Sequence, residues 1–325
     1  MIGVFRSNNP LNASILFVYG LLLKLYWFMH LPSITQRRAD GFLYNALIDL
    51  LKPGLEEWRI LEAALVYFLL FTQAMSVNYF MNSRKMVSGN NFLPAMSYLL
   101  ITSLLPEWNM LSPTLIVNSI LIWFFFKVST LGSGNQVRSA LFNIGLAIGV
   151  CSFLYLPSLF FVVIVLIGVG MVRPPKIFEM GMVFLGLLTT WYFLAAALYL
   201  TDKTQLFEMM DLFFEWPDIL LNRLMATGIA LIALLLLVGF YFVQAQSSKQ
   251  IVRVRKGWGF VLANLMLLLL IPLFQFNPDL RDWIIALVPV SLFVGAGFYY
   301  LSVKPIRMVL HWGVVLFIVY YQYFS

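Results

Sequence analysis

Eleven apolar runs, separated by short polar stretches, leave this chain few ways to fold. They cover residues 10–30, 60–82, 91–106, 112–131, 138–156, 159–172, 178–200, 220–244, 258–275, 284–301 and 307–324. A helix needs about 20 apolar residues to cross a hydrocarbon core about 30 Å thick. Lipid offers backbone groups no hydrogen-bond partners, so only helices or a closed barrel can span it. These runs are too long and continuous for alternating barrel strands. The expected fold is therefore all-α, a polytopic transmembrane helical bundle of 10–11 spans in one integral membrane domain over residues 1–325. The lower count applies if the 14-residue sixth run is re-entrant.

Composition closes the alternatives. Of 325 residues, 62% are hydrophobic and 11% charged, where a soluble domain carries about 25% charge. A soluble globule, a disordered chain and a coiled coil are excluded. The single cysteine, Cys151, excludes a disulfide framework. Two histidines, His30 and His311, fall near opposite membrane faces and cannot supply a multi-imidazole iron site, so carotenoid-cleaving oxygenase chemistry is excluded. Asn9 and Pro10 read as an N-cap followed by a proline in the first helical position, which makes the first run a retained anchor.

With the N-terminus in the cytoplasm, 13 of the 21 basic residues fall inside and 13 of the 14 acidic residues outside. This obeys the positive-inside rule and predicts a bacterial inner (cytoplasmic) membrane protein with a cytoplasmic N-terminus. The net charge of +7 then reflects topology, and nucleic acid is not an expected partner. Lys249–Lys256 (KQIVRVRK) reads first as a topology determinant, and it also suits anionic headgroups. The inside loops are short and carry no Walker or Rossmann motif, so the chain has no nucleotide domain.

Two outer segments stand out, 31–59 and 201–219. In the first, residues 41–52 (GFLYNALIDLLK) have apolar residues at 42, 43, 47, 50 and 51, which predicts an interfacial helix ended by Pro53-Gly54. In the second, Glu208, Asp211 and Glu215 share one helical face, which predicts another surface helix. Trp58, Trp108, Trp216 and Trp283 read as an interfacial aromatic belt. Pro94, Pro272 and Pro289 are expected to kink their spans. Asn78, Asn118, Asn143 and Asn264 read as buried amides that bond helices together. The small-xxx-small pattern Gly145 to Gly149 predicts close packing of the fifth helix on a neighbour.

The chemically suggestive residues cluster at the outer face. Arg37 and Arg38 could clamp a phosphate. Asp40 could act as base or metal ligand. The same three charges also suit a solvated loop in which they pair with one another. Lys24, inside the first span, is either a further phosphate ligand or a snorkelling side chain. Asp202, Glu208 and Asp211 would line an acceptor side. No cofactor is evident, and a divalent metal is compatible with Asp40.

The segments GVFRSNNPLN (3–12), NYFMNSRKMVSGNNFLPAMSYLLITSLLPEW (78–108) and LFNIGLAIGVCSFLYLPSLFFVVIVLIGVGMVRPPKIFEMG (141–181) together resemble uncharacterised multi-span inner-membrane proteins of Bacteroidetes, a family of unknown function. More loosely, the outer loop with its surface helix and Asp40 is similar to that of the C-type glycosyltransferases, which use polyprenyl-phosphate sugars. This likeness is architectural: an acidic pair in that loop and a large outer C-terminal domain are both missing. It implies an envelope glycan or lipid-linked sugar enzyme, with a polyprenyl-phosphate lipid as partner besides the bilayer. The rival expectations are a transporter or flippase, with a polar midplane cavity lined by Lys24 and the buried amides, and a non-catalytic scaffold subunit. The acids fall at or outside the expected span ends and no internal repeat is convincing, which weakens the transporter expectation without removing it.

Overall fold

The computed structural model describes residues 2–30, 36–37, 39–57, 59–131, 135–172, 174, 176–207, 212–219 and 222–324. Among them are fourteen α-helices and no strand. In chain order these are α1 (Ile2–Phe5), α2 (Leu11–Leu23), α3 (Leu25–Met29), α4 (Phe42–Glu57), α5 (Arg59–Ser83), α6 (Leu93–Thr102), α7 (Pro113–Ser129), α8 (Asn135–Leu154), α9 (Phe161–Val172), α10 (Ile177–Leu200), α11 (Arg223–Ser247), α12 (Val252–Leu270), α13 (Leu287–Tyr300) and α14 (Lys304–Phe324). Every apolar run forms helix. Among the described residues, seven helices are long and apolar enough by length and composition to cross a membrane: Ile60–Ser83, Gln136–Leu154, Ile177–Leu200, Arg223–Ser247, Val252–Phe274, Leu280–Tyr300 and Lys304–Phe324. The other four runs form the shorter helices Leu11–Leu23, Leu93–Thr102, Pro113–Ser129 and Leu156–Val172.

The shortest of these holds the centre. At about 1.5 Å per residue, the 10-residue α6 covers only half a bilayer core. All of its residues are buried, as are those of α13 from Leu287 to Phe298. A side chain at Gly295 would meet the Pro94 Cα at 2.8 Å, so α13 lies backbone to backbone against the start of α6. Gly239 brings α11 equally close on another side, where a Cβ would sit 2.3 Å from the Phe293 carbonyl oxygen. The Gly145 pattern acts in the same way. A Cβ on Gly145 would fall 2.1 Å from Val183 O, and one on Gly186 would fall 2.2 Å from Phe142 O, so α8 and α10 touch through glycine.

The prolines start or tighten helices more than they kink them. Pro94 sits in the first turn of α6, Pro289 near the start of α13, and Pro272 where α12 passes into a 3-10 turn. There the missing N–H costs least. The surface helix α4 runs through Pro53 to Glu57, instead of stopping before it. Its buried stripe is Tyr44 and Ile48, while Leu50 faces outward. The second expected surface helix is not found among residues 212–219, which are irregular. Glu215 holds that stretch in place: its N–H donates to Leu273 O and its carboxylate accepts from Asn277 N–H, with Phe214 packed on Phe274. Trp108 departs from the belt as well, since it is buried and its indole donates to Leu280 O at 2.9 Å. Trp58 lies outside the described residues.

Large apolar side chains on α10, α11 and α14 face outward, among them Phe178, Leu188, Leu237 and Leu316. A surrounding bilayer accounts for this exposure without any partner protein. The connections gather into two ends of opposite charge. Arg37 bonds Asp282, Tyr44 bonds Leu111 and Trp108 bonds Leu280 at an acidic end that carries Asp40, Glu107, Asp279 and Asp282. At the other end Phe92 N–H donates to Phe5 O, Trp258 to Met86 O, and Gln250 to Tyr300. That end carries Arg6, Arg84, Lys85, Arg253, Arg255 and Lys256.

The glycine contacts give a direct prediction. Gly186→Ala should lower thermal stability in detergent by about 1–3 kcal/mol, because the α8–α10 backbones must separate. Gly181→Ala, on the same helix with nothing within 4 Å, should leave the melting curve unchanged. Equal melting temperatures for the two variants would contradict the α8–α10 contact.

Candidate functional site

At the acidic end the expected site residues Arg37 and Asp40 do meet, and two regions far apart in sequence join them there. The Arg37 guanidinium forms a two-point contact with Asp282, Nη1 to Oδ2 at 3.0 Å and Nη2 to Oδ1 at 2.8 Å. Nη2 also lies 3.2 Å from Asp40 Oδ1, and Nη1 3.8 Å from Asp279 Oδ2. The Arg37 backbone N–H donates to Asp40 Oδ2 at 2.8 Å. Arg281 Nε donates to Asp279 at 2.8 Å. Asp279 and Asp282 form a reciprocal capping box over the 3-10 helix Leu280–Ala286, which helps to orient both carboxylates. Gly41 brings the 37–41 loop against the end of α8, where its N–H reaches Leu154 O and a Cβ would sit 2.2 Å from Phe153 O.

The electrostatics follow from this packing. Burial works against the Arg37 charge, but the hydrogen bond and charge of Asp282, with Asp40 and Asp279 adding to it, more than offset that and raise its pKa. Asp40 is buried, and desolvation raises its carboxyl above the ordinary value, although Arg37 pulls the other way. Glu107 is raised too, chiefly by burial. Arg37 is thus committed to carboxylates, and a phosphate would have to displace Asp282 to take it. Arg38, Glu208 and Asp211 lie outside the described residues. Asp202 is exposed at the end of α10, with φ 54°, and no contact ties it to Asp40.

Lys24 does not join this cluster, and it does not snorkel. It is 2% exposed. Its amine donates to Thr102 Oγ1 at 3.3 Å and to Asn109 Oδ1. Asn109 in turn donates to the Thr102 and Leu105 carbonyls at 3.1 and 3.0 Å, and Gln322 donates to Ser103 O at 3.4 Å. Lys24 thereby helps close the C-terminal end of the half-length helix α6 inside the protein, where a cation also complements the helix dipole.

The amides divide. Asn118 donates to Tyr98 at 2.9 Å and to Gln73 at 3.3 Å, bonding α5, α6 and α7 together. Asn264 bonds its own helix at Phe260 O, and Asn78 is buried. Asn143 is exposed on α8 and bonds no neighbour among the described residues. His30 stacks on Tyr26, and His311 on Tyr19. No group of three His, Cys, Asp or Glu among the described residues is arranged to hold a metal.

A cavity of about 640 Å³ lies at the opposite, basic end. Its walls include Phe80, Val128, Met171 and Phe260, and Arg84, Arg253 and Lys256 also line it. It sits where the ends of α5, α7 and α9 meet the start of α12. The sequence marked Arg253 and Lys256 within the basic loop, but it gave no sign that Arg84, almost 170 residues earlier, would join them. Asp279 and Asp282 were missed in the sequence: their D-x-x-D spacing is a local helix-start signal, but nothing in it points to Arg37. Comparison with family models, with curated proteins and with solved structures finds no match to this chain.

The raised Asp40 pKa has a definite sign in stability. A carboxyl with its folded pKa above its unfolded value binds protons more readily in the fold, so its contribution improves as pH falls and worsens as pH rises. As pH is lowered from neutral to about 4, the ordinary range of an aspartate, the unmodified protein should gain melting temperature relative to Asp40→Asn. A relative loss would contradict the burial argument. Asp282→Asn, which removes the two-point partner of Arg37, should destabilise more than Asp40→Asn at neutral pH, by on the order of 3 kcal/mol, read in the same melting experiment.

Proposed function

We propose that this protein handles a membrane-resident amphiphile, received from the bilayer into the cavity at its basic end, in the manner of a carrier or flippase for lipid-linked substrates. One observation carries the reading: a space of about 640 Å³, within the range of ligand-sized pockets, walled by apolar side chains and fringed by cations. An amphiphile matches that division, with its tail against Phe80, Met171 and Phe260 and its head beside the charges. The positive-inside pattern supports a placement of this end at the cytoplasmic leaflet of an inner membrane.

Filling the cavity tests the proposal. A Cβ at Gly257 meets nothing closer than the Met86 Cε at 3.8 Å, so a large side chain there can grow into open space. Gly257→Trp should fold normally, as judged by melting temperature. It should lose most of the lipid that co-purifies with the unmodified protein, quantified by mass spectrometry of the extract. Unchanged lipid content in a normally melting variant would sink the reading.

A second reading is favoured by Asp40 alone. A buried carboxyl with a raised pKa beside Arg37 and Arg281 is suited to proton transfer, and the surface helix α4 stands next to it. On this reading the chain is a polyprenyl-phosphate-sugar-dependent glycosyltransferase with Asp40 as its base. Asp40→Asn would then alter envelope glycans while the protein level stays normal. Unchanged glycans would remove Asp40 from catalysis.

A further inference from the structure

The cavity at the basic end is more specific in its charge than amphiphile binding alone requires. Arg84 comes from the end of α5, and Arg253 and Lys256 come from the first turns of α12, three residues apart and so on one helical face. The three cations converge on one space, and no aspartate or glutamate lines it among the described residues. No ion pair to any of the three is formed among the described residues either. Burial, and after it the charge of Arg253, lowers the Arg84 pKa. The fold therefore holds like charges together beside a partly desolvated guanidinium. Arg84 is half-buried while Arg253 and Lys256 are exposed, so the three charges are open to an anion entering the cavity.

The remaining polar groups do not compete for the anion. Ser129 and Thr130 donate their hydroxyls to the Phe126 carbonyl at 2.9 and 3.0 Å, closing the end of α7. Head-group recognition falls to the two arginines and the lysine. Phe80 lies one helical turn inside Arg84 on α5 and Phe260 one turn inside Lys256 on α12, and Val128 and Met171 line the same space. An inorganic anion would leave this wall without an occupant, and a neutral lipid would leave the cations without one.

We infer that the cavity is a binding site for an anionic phospholipid, its phosphate held by Arg84, Arg253 and Lys256 and an acyl chain lying against Phe80, Met171 and Phe260. The inference rests on the amphiphile reading above and adds the charge of the head group. Lys and Arg near a membrane surface each favour an anionic lipid about fivefold, so the site should prefer an anionic head to a zwitterionic one by about tenfold or more.

The test uses the purified full chain in detergent and native mass spectrometry. The probes are phosphatidylglycerol, phosphatidylcholine with the same acyl chains, and inorganic phosphate. The expected result is retention of phosphatidylglycerol at about one-tenth or less of the phosphatidylcholine concentration needed. Lys256→Gln should reduce that preference, and the triple variant Arg84→Gln, Arg253→Gln, Lys256→Gln should abolish it. A triple control with the same charge loss, Lys249→Gln, Arg255→Gln, Lys304→Gln, should keep it. The exposed single variant Lys256→Gln carries the test if the triple variant melts early. Equal retention of the two lipids overturns the charged site but leaves amphiphile binding standing. Retention of neither lipid overturns both. Competition by inorganic phosphate at lipid-like concentrations assigns the site to a free anion and overturns the lipid assignment, as does loss of the preference in the control.

Discussion

The architecture depends on how one interrupted helix is closed inside an apolar protein. Helix α6 spans half a membrane and stops among buried residues, where no water can reach its last carbonyls. Asn109 and Gln322 answer that need at the Thr102 and Ser103 carbonyls, and Lys24 holds Asn109 there through its side-chain oxygen and bonds the Thr102 hydroxyl. With that end satisfied, α6 can lie flush against α13 through Gly295, and α13 can take α11 through Gly239. The same bonds explain why a lysine is tolerated at depth. Its cost in lipid is offset by fixed acceptors and a helix C-terminus.

Around this core the charges separate to opposite ends and do different work. At the acidic end they pair with one another: Arg37 binds Asp40, two residues before α4, and Asp282 of the Asp279–Asp282 capping box. At the basic end they do not. Arg84, Arg253 and Lys256 face a cavity with no carboxylate among its described lining residues. A compensated cluster favours stability, whereas an uncompensated one favours a ligand. This contrast moves the centre of functional interest away from Asp40, where the sequence had placed it.

Much of the fold was legible because lipid imposes a simple rule on hydropathy, and all eleven runs form helix. The rule reads apolar length but not packing, so it did not foresee that four of the runs form helices of 10–17 residues. Local pattern failed where distant contacts decided the outcome. Residues 212–219 had helical spacing, yet Glu215 is fixed by Leu273 and Asn277 and the stretch stays irregular. Pro53 looked like a stop signal, but α4 continues through it at the cost of one backbone hydrogen bond. Of the site, Arg37 with Asp40 was readable because they are three residues apart. Asp282 and Arg84 were not, because pairing across much of the chain leaves no trace in one sequence.

The central claim is that the basic end, with its cavity, faces the cytosol and the acidic end faces the opposite side. The chain's one cysteine, Cys151, is buried, so single cysteines can be introduced at the exposed positions Asp218 and Arg255 and probed with a membrane-impermeant maleimide in intact spheroplasts. Asp218→Cys should label at once, and Arg255→Cys only after permeabilisation. Labelling of Arg255→Cys in sealed spheroplasts, with Asp218→Cys protected, would contradict the account.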